Sequence, residues 1–338
     1  MKSEAELEEL LSRPLEADLE AMRGMGGDLL ILGVAGKMGP SLALRARRAA
    51  EAAGLKMRVI GVSRFSSDAN RRLLEEHGVT TISADLLDDA QLNALPDAPN
   101  VISMAAMKFG STGGEDYMWA MNAYLPARIA ERYRHSRLVA FSSGNVYPFS
   151  PVAEGGSTED SPLSPVGEYA MSAIGRERLL THFSKTNGTP TVILRLNYAV
   201  EMRYGVLLDI GTKVFEREPV DLTMGSANVI WQGDANSICL RSFAHGATPP
   251  FVLNLTGPET LSVRWAALRF GELFGVAPVF QGKESETALL SNAARCFRMF
   301  GYPTVSVAEL IEWTAEWIGA GGRTLHKPTR FETREGKF

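Results

Sequence analysis

Three glycines spaced three apart, Gly33-Val-Ala-Gly36-Lys-Met-Gly39, stand between a wholly apolar run and a helix-forming stretch. No other feature constrains the fold as much. The run before them, Asp28-Leu-Leu-Ile-Leu-Gly33, shows no polar alternation, as expected of a parallel strand buried on both faces. The stretch after them carries Pro40 in its first turn and Gly54 just past its end, the usual asymmetry of a helix, here over about 40–53. Strand, glycine turn and helix in that order bring unpaired N–H groups and a positive dipole end to one point. One glycine permits the tight turn, one lets a pyrophosphate approach the backbone, and one lets the helix pack on the strand. The unit predicts a bound dinucleotide.

The chain beyond repeats the alternation. Residues 57–62 read as a second strand, followed by a helix over about 68–77 and a third strand near Thr80–Ser83. Asn100–Ala106 reads as a fourth, with a helix over about 115–134 behind it. Arg137–Ser142, a long helix over 168–185, and Thr191–Arg195 complete six strands. This predicts a doubly wound parallel α/β sheet of Rossmann type, with helices on both faces. After residue 198 the regularity weakens. Strands are expected to return near 228–231 and 251–255, with helices at 234–245, 262–274, 285–299 and 306–318. The expected division is a helical extension over 1–27, a dinucleotide domain over 28–200, and a smaller substrate lobe over 201–338. The extension shows Ser3 three residues before Glu6, a capping-box pattern, and a break at Pro14. The tail from Gly321 is polar and aperiodic, as an arm laid on the surface would be.

Composition excludes several classes. The chain has 338 residues and a formal charge of −4, which argues against nucleic acid or an anionic membrane as partner. No apolar run approaches the ~20 residues of a membrane span, and the polar, acidic N-terminus is unlike a signal peptide. Cys239 and Cys296 stand alone, so a cytoplasmic, reducing setting is expected. The five histidines are scattered, and no metal site is predicted. Ser143 lacks the flanking glycines of a hydrolase nucleophile elbow.

The second strand ends in Gly61-Val-Ser63-Arg64, with no carboxylate to accept from ribose hydroxyls. Ser63 and Arg64 suit a 2′-phosphate instead, so NADP is favoured over NAD. Asp85-Leu86, just past the third strand, is placed to meet the adenine.

With these residues in hand, the chain resembles the extended short-chain dehydrogenases/reductases of the sugar epimerase and dehydratase type, over roughly residues 28–275. The Gly33–Gly39 spacing, Asp85-Leu86, Asn100–Lys108, Asn122, Phe141-Ser-Ser143-Gly-Asn-Val-Tyr147, Tyr169 and Leu194-Arg-Leu-Asn197-Tyr198 carry the likeness. Lys108 falls where UDP-galactose 4-epimerases have a cofactor-contacting lysine. The resemblance implies cofactor contacts at Gly33, Gly36, Lys37, Met38, Gly39, Ser63, Arg64, Asp85, Leu86, Ala105, Ala106, Lys108, Asn122, Tyr169 and Asn197. It implies a carbohydrate-like substrate held from the strand ends, for which Ser111, Thr112, Asn145, Tyr198, Arg203 and Trp231 are the candidates. Asp234 is expected to cap a helix. The helices over 115–134 and 168–185 resemble those by which family members form homodimers, with Met118, Met121 and Leu125 as a stripe.

In the family a Tyr moves the proton of the substrate oxygen, a Ser or Thr holds that oxygen, and a Lys one turn after the Tyr supplies a positive charge. Tyr169 and Ser143 fill the first two roles by position. The third position is Ala173, and no Lys occurs between Tyr169 and Lys185. A tyrosine alone in water titrates near ~10 and is a poor base at neutral pH. Lys108 is the expected substitute, since Arg176 lies two turns along the helix. Three readings stand open here. The first is a redox enzyme or epimerase in which Tyr169 is aided by Lys108, the charge of the oxidised cofactor or ordered water. The second is a lyase or isomerase with its chemistry on other residues, and the third a dinucleotide-binding protein without turnover.

Overall fold

The computed structural model describes Met1 and residues 3–108 and 113–336. Strand β1 (Leu29–Leu32) is buried along its whole length. Leu29 and Ile31 face one helix layer while Leu30 and Leu32 face the other, as the two-residue period of a strand dictates. It pairs in parallel with β2 (Val59–Ser63) on one side and β4 (Asn100–Ser103) on the other. With β3 (Thr80–Ser83), β5 (Arg137–Ser143), β6 (Thr191–Leu196) and β7 (Phe251–Leu255), these make a seven-stranded sheet. Its order is β7-β6-β5-β4-β1-β2-β3, and every neighbouring pair is parallel. The order reverses between β4 and β1, and a ligand crevice is expected outside the strand ends there.

The glycine turn follows β1 directly. Gly33 adopts φ +90, and a Cβ there would sit 2.7 Å from the Ala105 backbone. A Cβ on Gly39 would run into the Val34 carbonyl, which is how closely helix α3 (Gly39–Ala52) docks on the strand. The long helix expected over 115–134 is instead three pieces. An α-turn at Glu115–Trp119 passes through a π-turn at Ala120–Tyr124 into α-helix Leu125–Arg132. Pro126 lacks an N–H, and the wider turn just before it absorbs the missing bond. Met118 and Leu125 are fully buried inward, so the exposed large apolar residues in this pair of helical regions are Tyr117, Tyr124 and, on the next long helix, Met171.

That next helix, α8 (Glu168–Asn187), is pinned to the sheet by a buried network. Glu177 accepts from Arg195 at 2.7 Å and from Ser142 at 2.6 Å, and Arg195 donates to the Tyr147 hydroxyl at 2.7 Å. The returning strand at 251–255 joins the sheet as β7, whereas Ile230–Trp231 pairs apart from it, with Ala199–Val200. Helices Gln232–Arg241, Val263–Phe274 and Val307–Gly319 lie close to where they are expected. The helix expected over 285–299 shrinks to Ala294–Phe300, because Thr287–Ala288 pairs with Ser150–Pro151. Helices Asp89–Ala94 and Val206–Phe215 were not anticipated.

The N-terminal helices, Glu4–Ser12 and Glu16–Met25, are part of the body. Ser3 caps the first, accepting from the Glu6 N–H at 3.1 Å. Leu7 and Leu11 enter the C-terminal apolar cluster, and Met22 and Met25 enter the sheet cluster. Asp18, with no exposed surface, accepts from Arg45 at 2.7 Å and ties the second helix to α3. Removing one partner of such a pair strands a buried charge, at a cost of about 3–5 kcal/mol.

Candidate active site

The exits of β1 to β4 enclose a cleft of about 250 Å³ lined by Gly33, Gly36, Ser63, Arg64, Asp85 and Ala105. Leu86 and Ala106 also line it. Arg64 is exposed at its mouth, with Nη1 3.2 Å from the Tyr117 hydroxyl and 4.0 Å from Asp85. A Cβ added at Gly33 or Gly36 would fill the cradle, so the turn is shaped to admit phosphate oxygens to bare backbone. Met38 packs its side chain into the core.

On the other side of the turn a second group of residues converges. Tyr169, the second residue of α8, is 9% exposed and packs against Met118. Ser143 ends β5, where its hydroxyl donates to Asn145 Oδ1 at 3.0 Å and accepts from the Asn145 N–H at 3.2 Å. Ala173 is fully buried against Val146 and Tyr147, so no cation stands at that point. Lys108, from the exit of β4, holds its ammonium 5.9 Å from the Tyr169 ring centre and 5.8 Å from that of Tyr198. Burial pushes it down to about 8, against the upward pull of Asp209. Tyr198 occupies the left-handed region at φ +47, a strained conformation for a bulky residue.

Lys37 is the largest surprise. Its place in the glycine turn suggests a cofactor contact, yet its Nζ reaches across the cleft to the Ala199 carbonyl at 2.6 Å. There it stands 3.8 Å over the Tyr204 ring. Burial pushes it down to about 7; Glu201 and Asp209 pull up, and Lys108 and Arg203 push further down. Tyr198 and Tyr204 are both pushed up by burial.

Five expectations change. Asn122 has no exposed surface: it accepts from the Met107 N–H and donates to the Met107 carbonyl, both at 2.8 Å, and donates to Ser172 at 3.0 Å. It clamps the β4 exit to α8 rather than touching a ligand. Asn197 is 2% exposed and donates to the Leu289 carbonyl at 3.4 Å, so it too is framework. Arg203 is consumed by Glu8 at 2.6 Å and Glu201 at 3.1 Å. Trp231 lies in the C-terminal core, edge-on to Trp313 at 5.7 Å, instead of on a pocket wall. Asp234 is structural but caps no helix; it accepts from the Thr304 N–H at 2.9 Å. Ser111 and Thr112 lie outside the described residues.

The anchoring role of Arg176 had no sequence signal, while the arm expected from Gly321 onward is found fastened to the body. Arg176 buries its guanidinium, donating to the Asn122 carbonyl at 2.9 Å and the Phe141 carbonyl at 2.7 Å. Residues 329–336 cross the outer wall of the cleft. Thr329 N–H donates to Asp209 at 2.7 Å, Lys213 pairs with Glu332 at 3.2 Å, and Arg334 donates to the Thr287 carbonyl at 2.8 Å. Under this arm the cavity between Asn145, Tyr198, Thr333 and Gly336 measures only about 20 Å³.

Fold and cleft together define a Rossmann-type dinucleotide enzyme. Residues 29–200 match the NAD dependent epimerase/dehydratase family, and the chain belongs to it. No curated protein matches the sequence. Among solved structures, it is similar to an epimerase from Methanothermobacter thermautotrophicus. That likeness has a TM-score of 0.72 and 19% identity, over 89% of this chain and 95% of that one. It is also similar to dTDP-glucose 4,6-dehydratase from Bacillus anthracis in complex with NAD (TM-score 0.73, 16% identity, 87% and 97% covered). UDP-glucose 4-epimerase from Thermotoga maritima, solved with UDP-glucose, gives a TM-score of 0.71 at 17% identity, over 87% and 99%. At these identities the likeness speaks for the fold. Among the described residues no helix is long and apolar enough to cross a membrane.

Proposed function

We propose that this chain carries out a nicotinamide-dependent epimerisation, dehydration or reduction of a sugar, nucleotide sugar or related polyhydroxy compound. The observation that carries the reading is Tyr169 facing Lys108 across the cleft, with the ammonium 5.9 Å from the ring centre. Tyr169 holds and moves the proton at the substrate oxygen. Ser143 holds the same oxygen, its hydroxyl oriented by Asn145. Lys108 brings the positive charge that Ala173 lacks. When bound along Gly33–Gly39, the nicotinamide cofactor supplies or accepts a hydride. The carbohydrate class is supported by the dehydratase and epimerase likenesses and by the polar strand exits. NADP is favoured over NAD, on the absence of a carboxylate at Ser63-Arg64 and the exposure of Arg64.

The test is turnover of NADPH, NADP, NADH and NAD against a panel of sugars, sugar acids and nucleotide sugars. Tyr169→Phe is expected to lower kcat by about 10²–10⁴-fold while cofactor affinity holds. Turnover unaffected by that change would defeat the assignment. Arg64→Ala is expected to weaken NADPH about tenfold and NADH little. A second reading, dinucleotide binding without turnover, is favoured by the buried Ala173 and the narrow cavity under the arm. Tight NADPH binding with no reaction across the panel would establish it. We also read the protein as a homodimer through the helical regions over about 115–134 and 168–185, where Tyr124 is 51% and Met171 46% exposed. Its molar mass in solution decides this. A reducing cytoplasm suits its two buried, unpaired cysteines.

A further inference from the structure

We propose that Lys37 and Lys108 form an oxyanion subsite on the substrate side of the cleft, for a carboxylate or phosphate carried by the sugar itself. This rests on the reading above, that a dinucleotide and a polyhydroxy substrate share the cleft.

The placement comes first. Lys37 leaves the glycine turn after β1, but its ammonium does not stay over that turn. It crosses to Ala199, in the segment that follows β6, and settles on the Tyr204 ring. Lys108 comes from the exit of β4 and stands near the rings of Tyr169 and Tyr198. The exits of β1 and β4 thus deliver two amines, the segment after β6 brings Tyr198 and Tyr204, and α8 brings Tyr169, the residue that would move the proton.

The charge count comes second. The acids within reach of Lys37 are Glu201 and Asp209. Glu201 is held by Arg203, accepting from both its side chain and its N–H, the latter at 2.8 Å. Asp209 accepts from the Thr329 N–H and hydroxyl of the arm, and burial pushes its carboxyl up, towards the neutral form. Arg203, the other nearby cation, is shared between Glu201 and Glu8. Lys37 thus sits within electrostatic reach of a second amine, and the acids near it are already held by other donors. Burial presses both lysines down, repulsion from Lys108 adds to this at Lys37, and a bound oxyanion would oppose it. The strained Tyr198 beside Lys108 is an independent mark of a working site.

The oxyanion could belong to the substrate or to the cofactor's pyrophosphate, and binding measurements on the full chain separate the two. Cofactor affinity is read from NADPH fluorescence in the wild type and in Lys37→Met, Lys108→Met and Lys37→Arg. Calorimetry on the NADP-loaded protein then compares matched pairs, such as glucuronate with glucose, galacturonate with galactose, and glucose 6-phosphate with glucose. At least one acid is expected to bind about tenfold or more tightly than its neutral partner. Lys37→Met should erase that preference, Lys37→Arg should keep part of it, and NADPH affinity should hold in both Lys37 variants. As a second readout, lysine amines carrying ¹³C-methyl groups are followed by NMR. The Lys37 and Lys108 signals, assigned with the two variants, should move on adding inorganic phosphate or the bound acid.

Neutral sugars binding as tightly as their acids would overturn the proposal. So would lysine signals that answer neither phosphate nor any acid. Equal loss of NADPH and acid affinity in Lys37→Met would assign the amine to the pyrophosphate instead. Failure of the wild type to bind any dinucleotide would fault the underlying functional reading, a separate result.

Discussion

The two sides of the glycine turn are built by different means. The side towards Arg64 and Asp85 is bare backbone and small residues at the ends of regular strands, and it stays open, at about 250 Å³. The side towards Tyr169 is made of long side chains reaching from distant segments, and next to Tyr198 the C-terminal arm closes a cavity of about 20 Å³. One side fits a ligand common to many proteins of this architecture. The other fits a ligand particular to this chain. The lesson is that the first can be changed only by filling space, and the second by moving side chains.

The largest expected effect sharpens this on the open side. Gly33→Val would put a branched side chain against the Ala105 backbone, 2.7 Å from where its Cβ must stand, at a φ of +90. Neither the strand nor the β4 exit can yield, since both lie in the middle of the sheet. NADPH binding is expected to fall by a factor of about 10² or more, as the strain and lost contacts together reach about 3 kcal/mol. Fluorescence titration checks it, with circular dichroism to confirm the fold. A variant that binds normally would mean the dinucleotide lies elsewhere.

That asymmetry also explains what could be read beforehand. Strands β1, β2, β4, β5 and β6 are legible because a strand buried on both faces reads as an apolar run, and Leu29–Leu32 is one, whereas β3, half-exposed at the sheet edge, is legible only from the alternation around it. The turn was legible because only glycine fits at Gly33. The fold and the family follow from these local signals. Helix Val206–Phe215 was missed because it starts at Gly205, without a side-chain cap to announce it. Thr287–Ala288 was taken for helix because its partner strand, Ser150–Pro151, lies far away in sequence. Lys37 was read as a cofactor contact from its neighbours in the turn, whereas its direction is set by Ala199, 162 residues on. Asn122 and Asn197 sit at the expected places but spend their amides on backbone, which no spacing reveals.

A middling effect is expected on the closed side. Arg334 fastens the end of the arm through Thr287, donating to its hydroxyl at 2.6 Å and its carbonyl at 2.8 Å, and lies 4.3 Å over the Phe149 ring. Arg334→Ala removes all three holds, while Phe331 keeps the root of the arm in the core. Charge-assisted bonds are each worth about 1–3 kcal/mol, less where water reaches them. Hydrogen exchange over 332–336 should then quicken by about tenfold, with NADPH affinity unmoved. Slower or unchanged exchange would show that the arm is held elsewhere, and a shift in NADPH affinity would erase the independence of the two sides.

The smallest effect is a pH dependence that belongs to the closed side alone. In the unfolded chain Lys37 and Lys108 should titrate near their ordinary 10.5, whereas in the fold they are pushed down to about 7 and about 8. Between about 7 and 10.5 the unfolded chain therefore holds protons that the folded chain has lost, and stability from these groups rises with pH across that window. Below about 7 both states carry the charge, and the fold bears the full cost of burying it. Lys37→Met removes one such charge, so it should raise the melting temperature most near pH 6 and progressively less towards pH 10. Both amines are half-buried and partly screened, so the difference should amount to a few degrees at most. The same comparison repeated with the acid found by calorimetry should shrink the gap at pH 6, because the bound oxyanion stabilises the wild-type ammonium and finds none in the variant. A melting difference that is flat across pH would mean that Lys37 keeps an ordinary charge in the fold, and the closed side would lose its claim to electrostatic tension.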